Sequence, residues 1–172
     1  CVLEGGEVAK ALRLYDIWSR YEVETDGVLV AHASIYGNTA AVAHRIAEQL
    51  RTNGVEVREI DLCRSDVSEA VSLAFGYGKM VLCAASYDGG VFPPMHAFLY
   101  KLGIKGYQSR RVGVVENGTW APTAGKTICS MLQQMKNIDI ISPILTIRSA
   151  WKEDYQQDLE MLVEGVIREE CM

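Results

Sequence analysis

The sequence predicts an α/β protein, a five-stranded parallel sheet in the order 2-1-3-4-5 with helices on both faces, forming a three-layer α/β/α sandwich. Three observations lead there. Strand-like and helix-like segments alternate five times from residue 27 onward, a pattern that right-handed crossovers wind into a parallel sheet. Met80-Val81-Leu82-Cys83-Ala84-Ala85 is a continuous apolar run, as expected of a central strand covered on both faces. Loops rich in glycine, hydroxyl and aromatic residues follow strands one, three and four, whose carboxyl ends meet at the switch point of such a sheet.

Residues 1–26 read as an N-terminal arm or linker and 27–172 as the domain. Within the arm, residues 8–21 place Leu12, Leu14, Tyr15 and Trp18 at helix-like spacing. This segment precedes the first strand, so it is expected to lie against the domain or to bridge to another one; residues 22–27 are a short polar connector. The first strand spans 28–33, where Val28, Leu29 and Val30 suit a pleated surface buried on two sides. An amphipathic helix then runs to Asn53, with Val42, Ile46, Ala47 and Leu50 on one face and Gly54 as its C-terminal cap.

Residues 55–60 alternate apolar and polar and suit a sheet edge. Asp61 and Asp66 bracket the turn into a helix over 65–77, which Gly76 and Gly78 close. The apolar run at 80–85 is the third strand. Pro93 or Pro94 then starts a helix whose face carries Met95, Phe98, Leu99 and Leu102. The fourth strand is 111–115, followed by a helix over 123–135, a fifth strand over 138–147 and a last helix over 152–169.

Apolar residues make up 49% of the chain and charged residues 23%, the profile of a globular protein of one well-buried core. A net charge of −5 without a Lys/Arg cluster argues against nucleic acid as a partner. No apolar run approaches a membrane span. Proteins and small molecules are the expected partners. Five cysteines, Cys1, Cys63, Cys83, Cys129 and Cys171, form no C-x-x-C pair and suit a reducing cytosol; Cys83 and Cys129 read as core or near-core thiols. The start at Cys1, without methionine or a signal sequence, is expected of a fragment of something longer. His32, His44 and His96 have no metal-spaced partners, and His32, on a strand, reads as a hydrogen-bonded core residue.

The loop Ser34-Ile35-Tyr36-Gly37-Asn38-Thr39 has two hydroxyls flanking a glycine and an asparagine, contains no acid, and opens onto a helix N-terminus. Unpaired backbone amides and the positive end of the helix dipole make an anion its natural occupant, a terminal phosphate above all. A simpler alternative stays open, in which Ser34 and Thr39 only cap the helix. There is no Walker lysine and no G-x-G-x-x-G here. The loop resembles the FMN-phosphate loop of flavodoxins.

Two further stretches narrow the resemblance. Ala85-Ser86-Tyr87-Asp88-Gly89-Gly90-Val91-Phe92-Pro93 looks like the flavodoxin-like domain of flavodiiron proteins, the A-type flavoproteins. Leu14-Tyr15-Asp16-x-Trp18-Ser19 is similar to the segment that joins their diiron and flavin domains. The family's H-x-E-x-D-H diiron ligands have no counterpart, so the chain looks like the flavin half alone. Its third loop, Glu116-Asn117-Gly118-Thr119-Trp120, keeps the family's tryptophan but has Glu116 where glycine is usual and lacks the aromatic two places before the tryptophan.

The resemblance implies a flavodoxin-like fold and FMN as cofactor. Its phosphate would lie on Ser34, Tyr36, Asn38 and Thr39, with Ile35 and Gly37 in the same loop, and its ring between the loops of Ser86 and Asn117. Tyr87 and Trp120 either flank a flat ring or are surface aromatics covering the sheet edge. Asp88-Gly89-Gly90 either turns a carbonyl toward flavin N5 or is an ordinary tight turn. Glu116 either brings negative charge near the ring or is a solvated carboxylate pointing away from the cleft.

The implied function is FMN-based electron transfer, from a rubredoxin-like donor or a flavin reductase to the diiron domain of a longer chain or partner, in a homodimer. Rival readings are an FMN-dependent NAD(P)H or quinone reductase and a flavin-free interaction domain.

Overall fold

The structure, a computed structural model, describes residues 5–168. The first four residues of the expected arm, Glu169 at the expected end of the last helix, and Cys1 and Cys171 lie outside them. The elements in order are α1 (Gly6–Ser19), β1 (Thr25–Ala33), α2 (Asn38–Thr52), β2 (Glu56–Asp61), α3 (Val67–Gly76), β3 (Tyr77–Tyr87), β4 (Gly90–Val91), α4 (Pro93–Ile104), β5 (Arg110–Asn117), α5 (Ala124–Leu132), β6 (Ile138–Ile140), β7 (Leu145–Ile147) and α6 (Gln156–Ile167).

The sheet runs β2-β1-β3-β5-β6, with β7 also paired to β5, and every pair along it is parallel. The predicted order 2-1-3-4-5 is therefore present, with β6 and β7 sharing the fifth position. Alternate residues of β1 go to opposite faces, as a period of two requires. Leu29, Ala31 and Ala33 join the core formed with α3, α4 and α5. Val28 and Val30 join the core under α2 and α6, where Val42, Ile46 and Leu50 meet Leu159, Leu162 and Val166. Full burial of each such aliphatic side chain stabilises the fold by roughly 1.5–3 kcal/mol.

Several boundaries differ from expectation. The fifth strand is two short ones: β6 pairs with Arg110 to Val112 and β7 with Val115 to Asn117. Pro143 lies between them, and a proline has no amide to give to a ladder. β3 starts at Tyr77, so Gly78 lies in a strand and does not close α3, whose N-terminus is capped by Asp66 accepting from the Ser68 amide at 2.7 Å. β1 begins at Thr25, inside the expected polar connector. The last helix begins at Gln156 after a short 3-10 turn at Glu153–Tyr155. Gly54, φ +78, follows α2 as expected of its cap.

None of the residues of α1 is buried; the arm is tied down at its end instead. Arg110, only 5% exposed, donates to the carbonyls of Tyr21 and Glu22 and also to those of Phe75, Tyr77, Gln108 and Ser109. A buried guanidinium satisfied by carbonyls alone fixes where the arm joins the sheet. Trp18 adds a 2.6 Å hydrogen bond from its indole to Glu24.

Candidate functional site

The loops after β1 and β5 meet the end of β3 in a crevice of about 190 Å³ at the carboxyl ends of the strands. It is lined by Ser34, Ile35, Tyr36, Asn38 and Thr39, by Ala85 and Ser86, by Asn117, Gly118 and Thr119, and by Ser149. Of the predicted site residues, Gly37, Tyr87, Asp88, Gly89, Gly90, Glu116 and Trp120 stand outside that lining.

The first loop is shaped by Ser34, whose Oγ accepts the Gly37 amide at 3.0 Å. Gly37 precedes α2 with φ +91, a conformation that favours glycine. No side chain caps α2, so Thr39, 3% exposed, is not the cap that the simpler alternative required. The first-turn amides of α2 lack helical partners, and the positive end of the helix faces the crevice that Asn38 and Thr39 line. Tyr36 projects into solvent beside it, 91% exposed.

The second stretch is a hairpin. β3 continues through Ser86 and Tyr87, Asp88 and Gly89 turn the chain with φ +46 and +71, and β4 returns antiparallel, pairing Tyr87 with Gly90 and Ser86 with Val91. Two successive positive φ values mark the tight turn that matches strand twist. Tyr87 is exposed and leans on Phe92, ring centroids 5.7 Å apart. The Ser86 hydroxyl accepts from the amides of Thr123 at 2.9 Å and Ala124 at 3.1 Å, so it serves the start of α5.

Glu116 corrects an expectation. Its carboxylate accepts from the Gly125 amide at 2.8 Å and from the Thr146 hydroxyl at 2.9 Å, and does not line the crevice. A carboxylate at a helix N-terminus is stabilised by the dipole and by free amides, and that outlet lies within its reach. Asn117, 8% exposed, is likewise engaged: its amide nitrogen donates to the Ser149 carbonyl at 2.8 Å and its Oδ1 accepts from the Ser149 amide at 3.0 Å. Gly118 has no room for a Cβ, which would stand 2.9 Å from the Ser86 Oγ. Trp120 projects free at 95% exposure.

Of the helix N-termini at this end of the sheet, those of α2 and α5 are in opposite states. Ser86 and Glu116 close that of α5; that of α2 carries no side-chain cap. An uncapped helix N-terminus is the kind of place where an anion is held favourably.

Sequence reasoning missed Ser149, and it held Ala85 within the second stretch without assigning it to the site. The signal for Ser149 was present, since the carboxyl end of the fifth strand belongs to the same edge as the other three.

Beside the first loop, the Cys63 thiol donates to the Ser34 carbonyl at 3.7 Å, and burial pushes its pKa up. His32 is mostly buried, with Nδ1 4.0 Å from Asp61 and without a hydrogen-bond partner, contrary to the expected bonded core histidine; burial pulls its pKa down, partly offset by Asp61 and Glu59. Cys83 is buried as expected, and its thiol is pushed far up by burial. Among the described residues no three His, Cys, Asp or Glu side chains gather to hold a metal ion, and no helix is long and apolar enough to cross a membrane.

A roomier groove of about 660 Å³ lies at the amino ends of the strands, between Lys79, Arg110, Arg111, Asp139 and Arg168. Four of the charged groups that line it are engaged: Arg111 with Asp139 at 2.7 Å, Lys79 with Asp26 at 3.7 Å, and Arg110 with its carbonyls. The crevice is the smaller concavity but the one with an unsatisfied helix end.

The family model described as flavodoxin matches residues 30–160, more than half of the chain. A curated relative, a Methanocaldococcus jannaschii protein described as uncharacterized, is 23% identical over 149 residues, covering 86% of this chain and 37% of its own length. Among solved structures, the rubredoxin oxygen:oxidoreductase of the anaerobe Desulfovibrio gigas superposes with a TM-score of 0.85 at 16% identity, over 94% of this chain and 40% of that one. The flavodiiron protein of Giardia intestinalis gives 0.80 at 18% identity, over 95% and 42%. Oxidised flavodoxin 1 of Bacillus cereus gives 0.72 at 19% identity, over 84% and 100%. The chain thus spans about two fifths of the length of the longer proteins it matches, and at these identities the superpositions speak to the fold.

Proposed function

The chain belongs to the flavodoxin family, and from that premise we propose that it is an FMN-binding electron-transfer domain, working as the flavin part of a longer protein or assembly of the flavodiiron kind. The observation that carries the proposal is the uncapped N-terminus of α2 beside the Ser34 and Thr39 hydroxyls, whereas the N-terminus of α5 on the other face of the sheet is already closed.

The residues fit the group. The first-turn amides of α2, with Ser34 and Thr39, would hold the phosphate by charge-assisted hydrogen bonds. The narrow crevice between Ser86, Gly118 and Ser149 suits the polyol chain. Trp120 directly follows the lining residue Thr119 and the Asp88-Gly89 hairpin follows Ser86, so the exposed indole and the hairpin would cover a flat ring held at that end. When bound, FMN supplies the redox chemistry, taking up and releasing electrons singly; the chain binds it, orients it and limits water around it.

The choice of a diiron-type assembly over a free-standing flavodoxin is supported by the arm, whose exposed Leu12, Tyr15 and Trp18 lack cover from the domain, and by the longer neighbours, which superpose over more of the chain. A rubredoxin-like or flavin-reductase donor, a diiron acceptor, a homodimer and a reducing cytosol for the free thiols belong to the same proposal.

The test is a titration of the purified chain with FMN, followed by absorbance and fluorescence. The expected result is stoichiometric uptake with quenched flavin emission, and brighter bound emission in Trp120→Ala. Steady-state oxidation of NAD(P)H by the flavin-loaded chain alone would favour the reductase reading. A chain that takes up no FMN would favour the flavin-free reading.

A further inference from the structure

His32 is a mostly buried titratable group outside the crevice lining. By strand alternation it shares the α2 face of β1 with Val28 and Val30, and it stands two residues before Ser34. Its register partners are Asp61 of β2 and Cys83 of β3. Its Nδ1 is buried without a hydrogen-bond partner, 4.0 Å from the Asp61 carboxylate. That carboxylate accepts the Cys63 amide at 2.9 Å and lies 3.6 Å from the Arg64 guanidinium, while the Cys63 thiol donates to the Ser34 carbonyl at 3.7 Å. The remaining groups on this side are paired or uncharged. Glu59 of β2 holds Arg51 and His44 of α2 at 2.8 and 3.3 Å, and burial keeps the Cys83 thiol protonated.

We propose that His32 is a proton-linked switch beneath the first loop: an anion seated at the N-terminus of α2 draws a proton from solvent onto the imidazole, which then closes on Asp61. The proposal rests on the FMN reading given above, in which the anion is the cofactor's phosphate. With no anion bound, burial and the positive end of α2 both oppose a charge on the ring. A phosphate at that helix end turns the local field the other way, and Asp61 is placed to accept from a cationic Nδ1–H. Linkage makes the effect reciprocal. The protonated ring tightens anion binding by the same factor by which the anion favours protonation. A separation of about 10 Å, two strand residues and the loop, makes that factor roughly three- to tenfold.

The test follows the imidazole C–H signals of the chain by NMR from about pH 5 to pH 8, alone, with FMN, and with riboflavin, which lacks the phosphate. His44→Gln and His96→Gln, both at exposed positions, assign the His32 signal by elimination. The expected result is a His32 pKa below the ordinary value in the free chain, raised by roughly half a unit to one unit with FMN and unmoved by riboflavin. In parallel titrations the ratio of FMN affinities, wild type over His32→Gln, should stand near one at about pH 8 and climb toward three- to tenfold as pH falls, a ratio in which titration of the phosphate itself cancels. An unmoved His32 pKa with FMN bound, or an equal rise with riboflavin, refutes the switch and leaves the FMN reading standing. A wild-type chain that takes up no FMN overturns that reading and this proposal with it.

Discussion

The Glu116 carboxylate accepts the amide of Gly125 at 2.8 Å, at the first turn of α5. Gly125 leaves it that room: a Cβ there would stand 3.0 Å from the Glu116 Oε2. The acid that the sequence placed beside a flavin ring is thereby committed to a helix end, with the Thr146 hydroxyl as its second donor.

Glu116→Gln should therefore act on stability more than on any bound cofactor. Loss of a charge at a helix N-terminus and weakening of two charge-assisted bonds should cost about 1 kcal/mol. A urea denaturation midpoint lowered accordingly, with the flavin potential within a few millivolts of wild type, is the expected pair of results. A large change in potential with an unmoved midpoint would return Glu116 to the ring.

Thr39→Val keeps the buried shape at the start of α2 and removes the hydroxyl. Because Thr39 caps nothing in the protein, folding should change by less than about 1 kcal/mol, while a lost charge-assisted bond to phosphate should weaken FMN by roughly tenfold or more. Parallel flavin titration and apo-protein melting separate the two effects. Unchanged affinity would remove Thr39 from the phosphate site.

Arg110→Met removes a buried guanidinium that serves six carbonyls. The carbonyls left unpaired should cost about 3 kcal/mol or more. Lysine should not rescue the site, since a point charge on a flexible stem cannot reproduce the planar fork. The arm should also loosen at Tyr21 and Glu22, which limited proteolysis would detect as faster cleavage ahead of β1 in the native state.

His32 gives the fold a pH dependence. Its folded pKa is lowered, chiefly by burial, so above the ordinary value of about 6.5 both folded and unfolded chains hold it neutral and it contributes no slope. As pH falls below that value the unfolded chain takes up the proton first, and stability is lost until the pH reaches the lower folded pKa. Urea midpoints at pH 7.5 and 5.5 should therefore draw closer together in His32→Gln than in the wild type. Equal slopes in the two proteins would show that His32 titrates alike folded and unfolded.

What the sequence determined by itself was the part of the structure written in local pattern. The runs at Val28 to Val30 and Met80 to Ala85 announced buried strands, Val42, Ile46 and Leu50 announced a helix face, and the alternation of the two fixed a parallel sheet in the observed order. The loops at Ser34, Ser86 and Asn117 were legible because crossover topology leaves strand ends together whatever the side chains do. Even the break in the fifth strand was open to reading, for Pro143 stands inside it. Only the tertiary structure decided where polar side chains spend their hydrogen bonds. Ser86 and Glu116 turned to α5, Asn117 turned to Ser149, and Arg110, a residue type usually exposed, sank among carbonyls from three separate segments. A donor or acceptor takes the partner that burial leaves unsatisfied nearby, and which groups lie nearby is set by contacts between segments 30 to 90 residues apart, such as Asn117 with Ser149 and Arg110 with Tyr21.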